Sequence, residues 1–126
     1  TPHTGEMQRI YKNLKNNVFE VEEYAASKNI TVMLKDSVTV ITDSKKTYIN
    51  TLGSSALSKG GSGDLLAGIT AGFAAQGLDL LQSAVLASYV TYKTAALLAQ
   101  EMTEYSVSPL LIANNIYKAL KELSEK

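Results

Sequence analysis

Apolar positions along the first third of the 126-residue chain predict two short helices followed by three strands. Apolar residues recur at helical spacing in residues 5–14 and 18–27, and the polar run Lys15-Asn16-Asn17 separates the two segments. Residues 31–34 are then almost wholly apolar, as is typical of a buried parallel strand. Two further segments with β-branched residues, 38–42 and Thr47–Asn50, predict a β-hairpin.

The remainder of the chain predicts three longer helices. Residues 63–76 and 80–102 are predominantly apolar, and the third helix begins at Ser108-Pro109, a favourable cap and first position. Polar residues within 80–102 favour a helix buried in protein over a membrane span. Gly68 and Gly72 lie inside a helix, where glycine is costly, so we expect another backbone to approach them closely. The charged tail, residues 121–126, is expected to be solvated.

Charge and cysteine content exclude several classes of function. Twelve basic and twelve acidic residues balance, so nothing favours binding to nucleic acid or to an anionic membrane. The sequence has no cysteine, which excludes disulfides and thiolate metal sites and suits a cytoplasmic protein.

The candidate chemistry is concentrated in Gly60-Gly61-Ser62-Gly63-Asp64, a glycine-rich turn that opens into a predicted helix. Free backbone amides at such a helix start, together with the helix dipole, form an anion-binding site. Asp64 either complements the dipole or serves as a general base beside the anion. The spacing fits neither a Walker A loop nor a dinucleotide-binding fingerprint.

Gly61-Ser62-Gly63-Asp64 resembles the Gly-(Thr/Ser/Ala)-Gly-Asp signature of ribokinase-like enzymes. The longer run from Gly60 to Gly68, GGSGDLLAG, is similar to the ADP/ATP-dependent NAD(P)H-hydrate dehydratases. Thr1-Pro2-His3-Thr4-Gly5-Glu6 and Leu34-Lys35-Asp36 add two more matches in the same order. The resemblance implies an α/β fold, a ribokinase-like three-layer sandwich with mainly parallel strands, a β-hairpin and then a helical layer.

The resemblance also implies a function and a set of site residues. The function would be ADP- or ATP-dependent dehydration of (S)-NAD(P)H-hydrate, with Mg²⁺ accompanying the nucleotide. Asp64 would be the base, and the substrate would contact His3 and Asp64. The amides of Gly61, Ser62 and Gly63 would form the anion hole. The adenine nucleotide would contact Lys35, Asp36, Ser37, Val38, Thr39 and Gly63, largely through backbone, and Glu6 would contact Mg²⁺ weakly, through water.

The residues alone support a plainer interpretation of the same positions. His3 would be a polar loop residue, Glu6 a helix cap, and the segment from Lys35 to Ser37 a surface turn. The chain also departs from the family pattern, with Asp36 in place of a glycine and with the segment 53–57 lacking the family's asparagine.

Two other functions stay open at this point. One is a ribokinase-like kinase for a small vitamin or sugar, although His3 stands where such kinases carry asparagine. The other is a nucleotide-binding or assembly module without catalysis. Because the chain begins at Thr1 and is shorter than the family's enzymes, we expect residues 1–126 to be the C-terminal part of a single domain. We also expect a homo-oligomer, with weak or no catalysis by the chain alone.

Overall fold

The computed structural model describes residues 1–12, 14 and 17–125. In that part of the chain, two short helices precede a three-stranded sheet, and three longer helices follow it. The elements are α1 (Thr4–Ile10), α2 (Val18–Lys28), β1 (Val32–Lys35), β2 (Thr39–Thr42), β3 (Thr47–Asn50), a 3-10 turn (Ser55–Leu57), α3 (Ser62–Ala75), α4 (Leu80–Glu101) and α5 (Pro109–Ser124).

The three strands form an antiparallel sheet in the order β1-β2-β3. In its register Leu34 pairs with Val40, and Thr42 pairs with Thr47 across the predicted hairpin. The expectation of mainly parallel strands is wrong for the named strands, because both of their pairings are antiparallel. Parallel pairing among the described residues is limited to a bridge between His3 and Lys35.

Helices cover both faces of this sheet, which gives the α/β arrangement its three layers. Alternate side chains of β1 point to opposite faces, so its apolar run has to be covered twice. On one face Val32 and Leu34 join a core with residues of α1 and α2. On the other face Met33 and Ile41 join Leu66 of α3 and the first turns of α4.

The predicted helix boundaries agree with the structure to within a few residues, except for α1. That helix ends at Ile10 instead of residue 14, and Leu14 is buried beyond it. The predicted break at Lys15-Asn16 and the last residue of the predicted solvated tail, Lys126, lie outside the described residues.

Side-chain and glycine caps account for several of these boundaries. The Asp79 side chain accepts from the amide of Gln82 at the start of α4, and the Ser108 side chain accepts from Leu111 at the start of α5. Gly77, just beyond α3, adopts a φ of 100°, as a C-terminal glycine often does.

Gly68 and Gly72 lie on an exposed face of α3, together with Ala67, Ala71 and Ala75. A Cβ built on either glycine would meet no atom of the described residues within 4 Å. The expected close approach of another backbone is therefore wrong for this part of the chain. No helix among the described residues is long and apolar enough to cross a membrane.

Candidate active site

A pocket of about 760 Å³ lies where α1, the end of β1, the loop before α3 and the middle of α4 meet. It is lined by His3, Thr4, Gly5, Lys35, Asp36, Ser37, Gly53, Ser54, Ser55, Leu57, Ser58, Lys59, Gly60, Ser62, Gly63, Leu66, Thr91 and Tyr92. Most of the residues predicted for the site are among these lining residues. Glu6, Val38, Thr39, Gly61 and Asp64 are not.

The glycine-rich turn leads directly into α3 and leaves backbone amides free. Gly61 has a φ of 89°, which favours glycine, and no side chain caps the helix there. The Ser62 amide donates to the Lys59 carbonyl at 3.2 Å. The amides of Gly61 and Gly63 have no hydrogen-bond acceptor in the described part of the chain. Two of the three predicted anion-hole amides are therefore available to a ligand.

The ammonium group of Lys35 lies against this turn. A Cβ added to Gly63 would come within 2.7 Å of Lys35 Nζ, so glycine makes room for the ammonium. Among residues 1–12, 14 and 17–125, no carboxylate lies within 4.0 Å of that nitrogen and it makes no hydrogen bond. A cation beside the positive end of a helix is electrostatically unfavourable until an anion binds.

His3 and Glu6 cap α1 together. The Glu6 amide donates to His3 Nδ1 at 3.2 Å, and the His3 amide donates to Glu6 Oε2 at 2.9 Å, which forms a capping box. That backbone hydrogen bond from His3 is the main reason that the pKa of the Glu6 carboxyl is lowered. Glu6 therefore caps a helix, as the residues alone predicted. His3 both caps the helix and lines the pocket.

Asp36 links the end of β1 to the start of α1. Its Oδ2 accepts from Thr4 Oγ1 at 2.5 Å, and its Oδ1 accepts from the Ser37 amide at 2.7 Å. Both hydrogen bonds lower the pKa of the Asp36 carboxyl, and the bond from Thr4 lowers it more than the bond from Ser37. The carboxylate thus closes the turn at the pocket wall through contacts that a glycine could not make.

The remaining predicted residues are less well placed. Val38 is exposed and lies outside the pocket lining. Thr39 is buried, and its hydroxyl lies 3.0 Å from the hydroxyl of Tyr92, a residue that does line the pocket. Asp64 is exposed in the first turn of α3 and makes no hydrogen bond or ion pair within the described part of the chain. A substrate hydroxyl would therefore have to reach Asp64 from the solvent side of α3.

Comparison of the sequence with models of known protein families shows which family the chain belongs to. The model of the NAD(P)H-hydrate dehydratase family matches residues 1–118. The chain belongs to this family. It is 37% identical over 107 residues to the ADP-dependent (S)-NAD(P)H-hydrate dehydratase of Cenarchaeum symbiosum, a match that covers 81% of this chain and 37% of that protein. A bifunctional NAD(P)H-hydrate repair enzyme from Hyperthermus butylicus is 30% identical over 128 residues, which cover 95% of this chain and 24% of that protein.

Solved structures confirm the ribokinase-like fold. One is the ADP/ATP-dependent NAD(P)H-hydrate dehydratase of Bacillus subtilis, co-crystallised with ATP/Mg²⁺ and soaked with CoA. It matches with a TM-score of 0.86 and 26% identity over 96% of this chain and 47% of that one. A ribokinase-like superfamily protein from Enterococcus faecalis matches with a TM-score of 0.86 and 30% identity over 96% of this chain and 43% of that one. The chain thus spans less than half the length of these relatives.

The candidate site also contains residues that the sequence patterns did not predict. Lys59 Nζ donates to the carbonyls of Glu104 at 2.9 Å, Tyr105 at 2.7 Å and Val107, which ties the glycine-rich turn to the loop before α5. Thr91 and Tyr92 reach the pocket from α4, a helix that was predicted only as a buried layer. Polar residues within that apolar helix were the available signal.

Proposed function

We propose that this chain forms the nucleotide and phosphoryl-transfer part of an ADP- or ATP-dependent dehydratase acting on (S)-NAD(P)H-hydrate. The observation that carries the proposal is the Lys35 ammonium, which lies against Gly63 at the start of α3 without a hydrogen bond or a salt bridge to any described residue. An ammonium and free amides around one point suit the terminal phosphate of a nucleotide. Membership of the NAD(P)H-hydrate dehydratase family supports the choice of substrate.

In the proposed reaction Asp64 takes the proton from the substrate hydroxyl, and that oxygen attacks the terminal phosphorus of the nucleotide. The bond from phosphorus to the bridging oxygen breaks, and the shortened nucleotide leaves. The bond between the ring carbon and its oxygen then breaks, phosphate departs, and the ring loses a proton to restore the nicotinamide double bond. Amides of Gly61 and Gly63 and the Lys35 ammonium would stabilise the charge on the transferring group, which is the main task in phosphoryl transfer.

Mg²⁺ would be bound mainly by the phosphates of the nucleotide in this arrangement. The described residues contain no group of three His, Cys, Asp or Glu side chains that could hold a metal ion. Glu6, the predicted contact, already accepts a hydrogen bond from His3 and lies outside the pocket lining. A water-mediated contact of Glu6 with a nucleotide-bound ion stays a prediction.

Replacing Asp64 with asparagine tests the proposed reaction. In the complete enzyme, we expect Asp64→Asn to lower the rate of ADP-dependent NADH recovery from its hydrate by about 10²- to 10⁴-fold, the usual contribution of a general base. ADP affinity, measured by calorimetry, should stay within about threefold of the wild type, because the carboxylate lies outside the pocket lining.

Asp79→Asn is the matched control, since Asp79 is another exposed carboxylate at a helix start and asparagine caps equally well. That variant should keep the wild-type rate. If Asp64→Asn also keeps it, Asp64 is only a partner of the helix dipole.

A second candidate is a nucleotide-binding module without catalysis. The exposure of Asp64 outside the pocket lining favours this alternative. Tight ADP binding by the complete protein, without any recovery of NADH, would support the module over the enzyme.

A homo-oligomer and a cytoplasmic setting belong to the same proposal. Strongly exposed aromatic side chains, Phe19 at 74% and Tyr105 at 93%, support association with another chain. The absence of cysteine from the sequence supports a reducing compartment. Light scattering of the purified chain measures the first of these properties.

A further inference from the structure

Lys59 lies directly before the glycine-rich turn, and all three donors of its ammonium group are taken. The Nζ atom donates to the carbonyl of Glu104 at 2.9 Å, to that of Tyr105 at 2.7 Å and to that of Val107. An ammonium group has three N–H donors and no acceptor. Lys59 lines the pocket, yet it has no donor for a ligand there unless it gives up one of these carbonyls.

The loop that supplies the three carbonyls, residues 102–108, is fixed by contacts of its own. Val107 is fully buried and belongs to the hydrophobic core that joins α4 to α5. Two backbone hydrogen bonds fold the loop on itself, from the Ser106 amide to Thr103 at 2.9 Å and from the Val107 amide to Glu104 at 3.3 Å. The loop is therefore a firm anchor for a side chain that reaches it from another element.

The glycine-rich turn on the other side of this contact is open. A Cβ built on Gly60 would meet no described atom within 4 Å, and the nearest atom to one on Gly61 is Pro109 Cγ at 3.7 Å. Glycines lose more conformational freedom than other residues when they are ordered. Within the turn the Ser62 amide donates to the Lys59 carbonyl at 3.2 Å. Lys59 thus closes the turn with its carbonyl and attaches it to the loop before α5 with its ammonium.

We propose that Lys59 is a positioning residue that holds the glycine-rich turn on the loop before α5, so that the free amides at the start of α3 are oriented before an anion arrives. The ammonium of Lys35, which makes no hydrogen bond in the described chain, is the cation that meets the anion. Lys59 acts on the affinity through the backbone alone. This inference rests on the proposed nucleotide co-substrate and assigns a role to a lysine that does not contact it.

The size of the effect follows from the fraction of molecules in which the turn is ordered. Hydrogen bonds from a charged donor are stronger than neutral ones, so their loss should leave the turn ordered in about a tenth of the molecules. The apparent dissociation constant rises as this fraction falls. Lys59→Ala should therefore bind ADP about 10-fold more weakly than the wild type. In the absence of ligand, its Ser62 amide should exchange hydrogen about 10-fold faster.

Replacing the lost side chain with a free amine provides the test. ADP affinity by calorimetry and Ser62 exchange are measured on the complete protein, well below the melting temperature of each variant. Propylammonium supplies the atoms that Lys59→Ala lacks, and it should restore both quantities toward the wild type. Tetramethylammonium is a cation without an N–H, and it should restore neither. Lys45→Ala, at an exposed lysine of the hairpin turn, is the control and should behave as the wild type.

The other outcomes separate this inference from the proposed function. Wild-type affinity and exchange in Lys59→Ala overturn the inference and leave the proposed function intact. Weaker ADP binding with unchanged Ser62 exchange places the Lys59 ammonium on the ligand, which overturns its role as a positioning residue. Losses that propylammonium does not reverse also overturn the inference, because they do not come from the missing ammonium. A wild-type protein that does not bind ADP contradicts the proposed function, whatever the exchange rates show.

Discussion

Lys59→Met tests whether one ammonium holds the site's loop in place. The substitution keeps an unbranched chain of similar length and removes the donor to three carbonyls, those of Glu104, Tyr105 and Val107. A hydrogen bond from a charged donor contributes about 1.5–3 kcal/mol. Glu104 and Tyr105 are exposed, so water can replace the lysine there, whereas Val107 is fully buried. The expected loss in the free energy of unfolding is therefore about 2–3 kcal/mol, close to that of one buried bond.

For a domain of this size each kcal/mol lowers the melting temperature by about 3–5 °C, so Lys59→Met should melt about 6–15 °C below the wild type. Thermal unfolding followed by circular dichroism measures this difference. Lys45→Met is the matched control, because Lys45 is exposed in the hairpin turn and its ammonium makes no hydrogen bond within the described residues. Equal melting temperatures for the two variants would show that the carbonyl cluster contributes nothing to stability.

Two further substitutions test the pocket wall. Gly63→Ala places a Cβ 2.7 Å from Lys35 Nζ. It should weaken ADP binding in calorimetry without lowering the melting temperature, since the flexible lysine end can move. Gly68→Ala is the control, because its Cβ meets nothing within 4 Å and Gly68 lies outside the pocket lining; it should leave ADP binding unchanged, and equal affinities in the two variants would contradict the proposed phosphate position. Thr4→Ala should raise the pKa of Asp36 toward its ordinary value of 3.8 in an NMR titration, because the Thr4 hydrogen bond is the main cause of the lowered pKa. The stabilisation from that bond is present above the ordinary pKa and is lost as the pH falls through the lower folded value, so an unchanged titration would refute this cause.

Local chemistry made the helix starts and the hairpin predictable. Ser108-Pro109 and Asp79 carry cap signals that act within one helical turn, and the structure shows both caps. The hairpin from β2 to β3 was predictable for the same reason, because the residues that form its turn are neighbours in the sequence. Asp43 accepts from the amides of Lys45 and Lys46 in its turn, and a side chain of this type is common there.

Strand direction and side-chain placement depended on long-range contacts and could not be derived in the same way. The apolar run that became β1 shows that both faces of the strand are covered, but not which neighbour it pairs with. Its partner is the hairpin strand β2 in antiparallel orientation, and the parallel contact is the short bridge at His3. The position of the Lys35 ammonium follows from where β1 ends relative to α3, so no local pattern could have indicated it.

Asp36 places a carboxylate in the wall of the pocket that is proposed to bind a phosphate. A carboxylate and an ammonium, Asp36 and Lys35, line one pocket, but their charges are engaged differently. Both oxygens of Asp36 already accept hydrogen bonds, from Thr4 and from the Ser37 amide. These donors partly neutralise the carboxylate, and they hold it in the turn between β1 and β2, against the start of α1. Lys35 has no such partner in the described chain and lies at a positive helix end. Attraction of a phosphate to the Gly63 end of the pocket can therefore persist despite the Asp36 carboxylate in the same pocket.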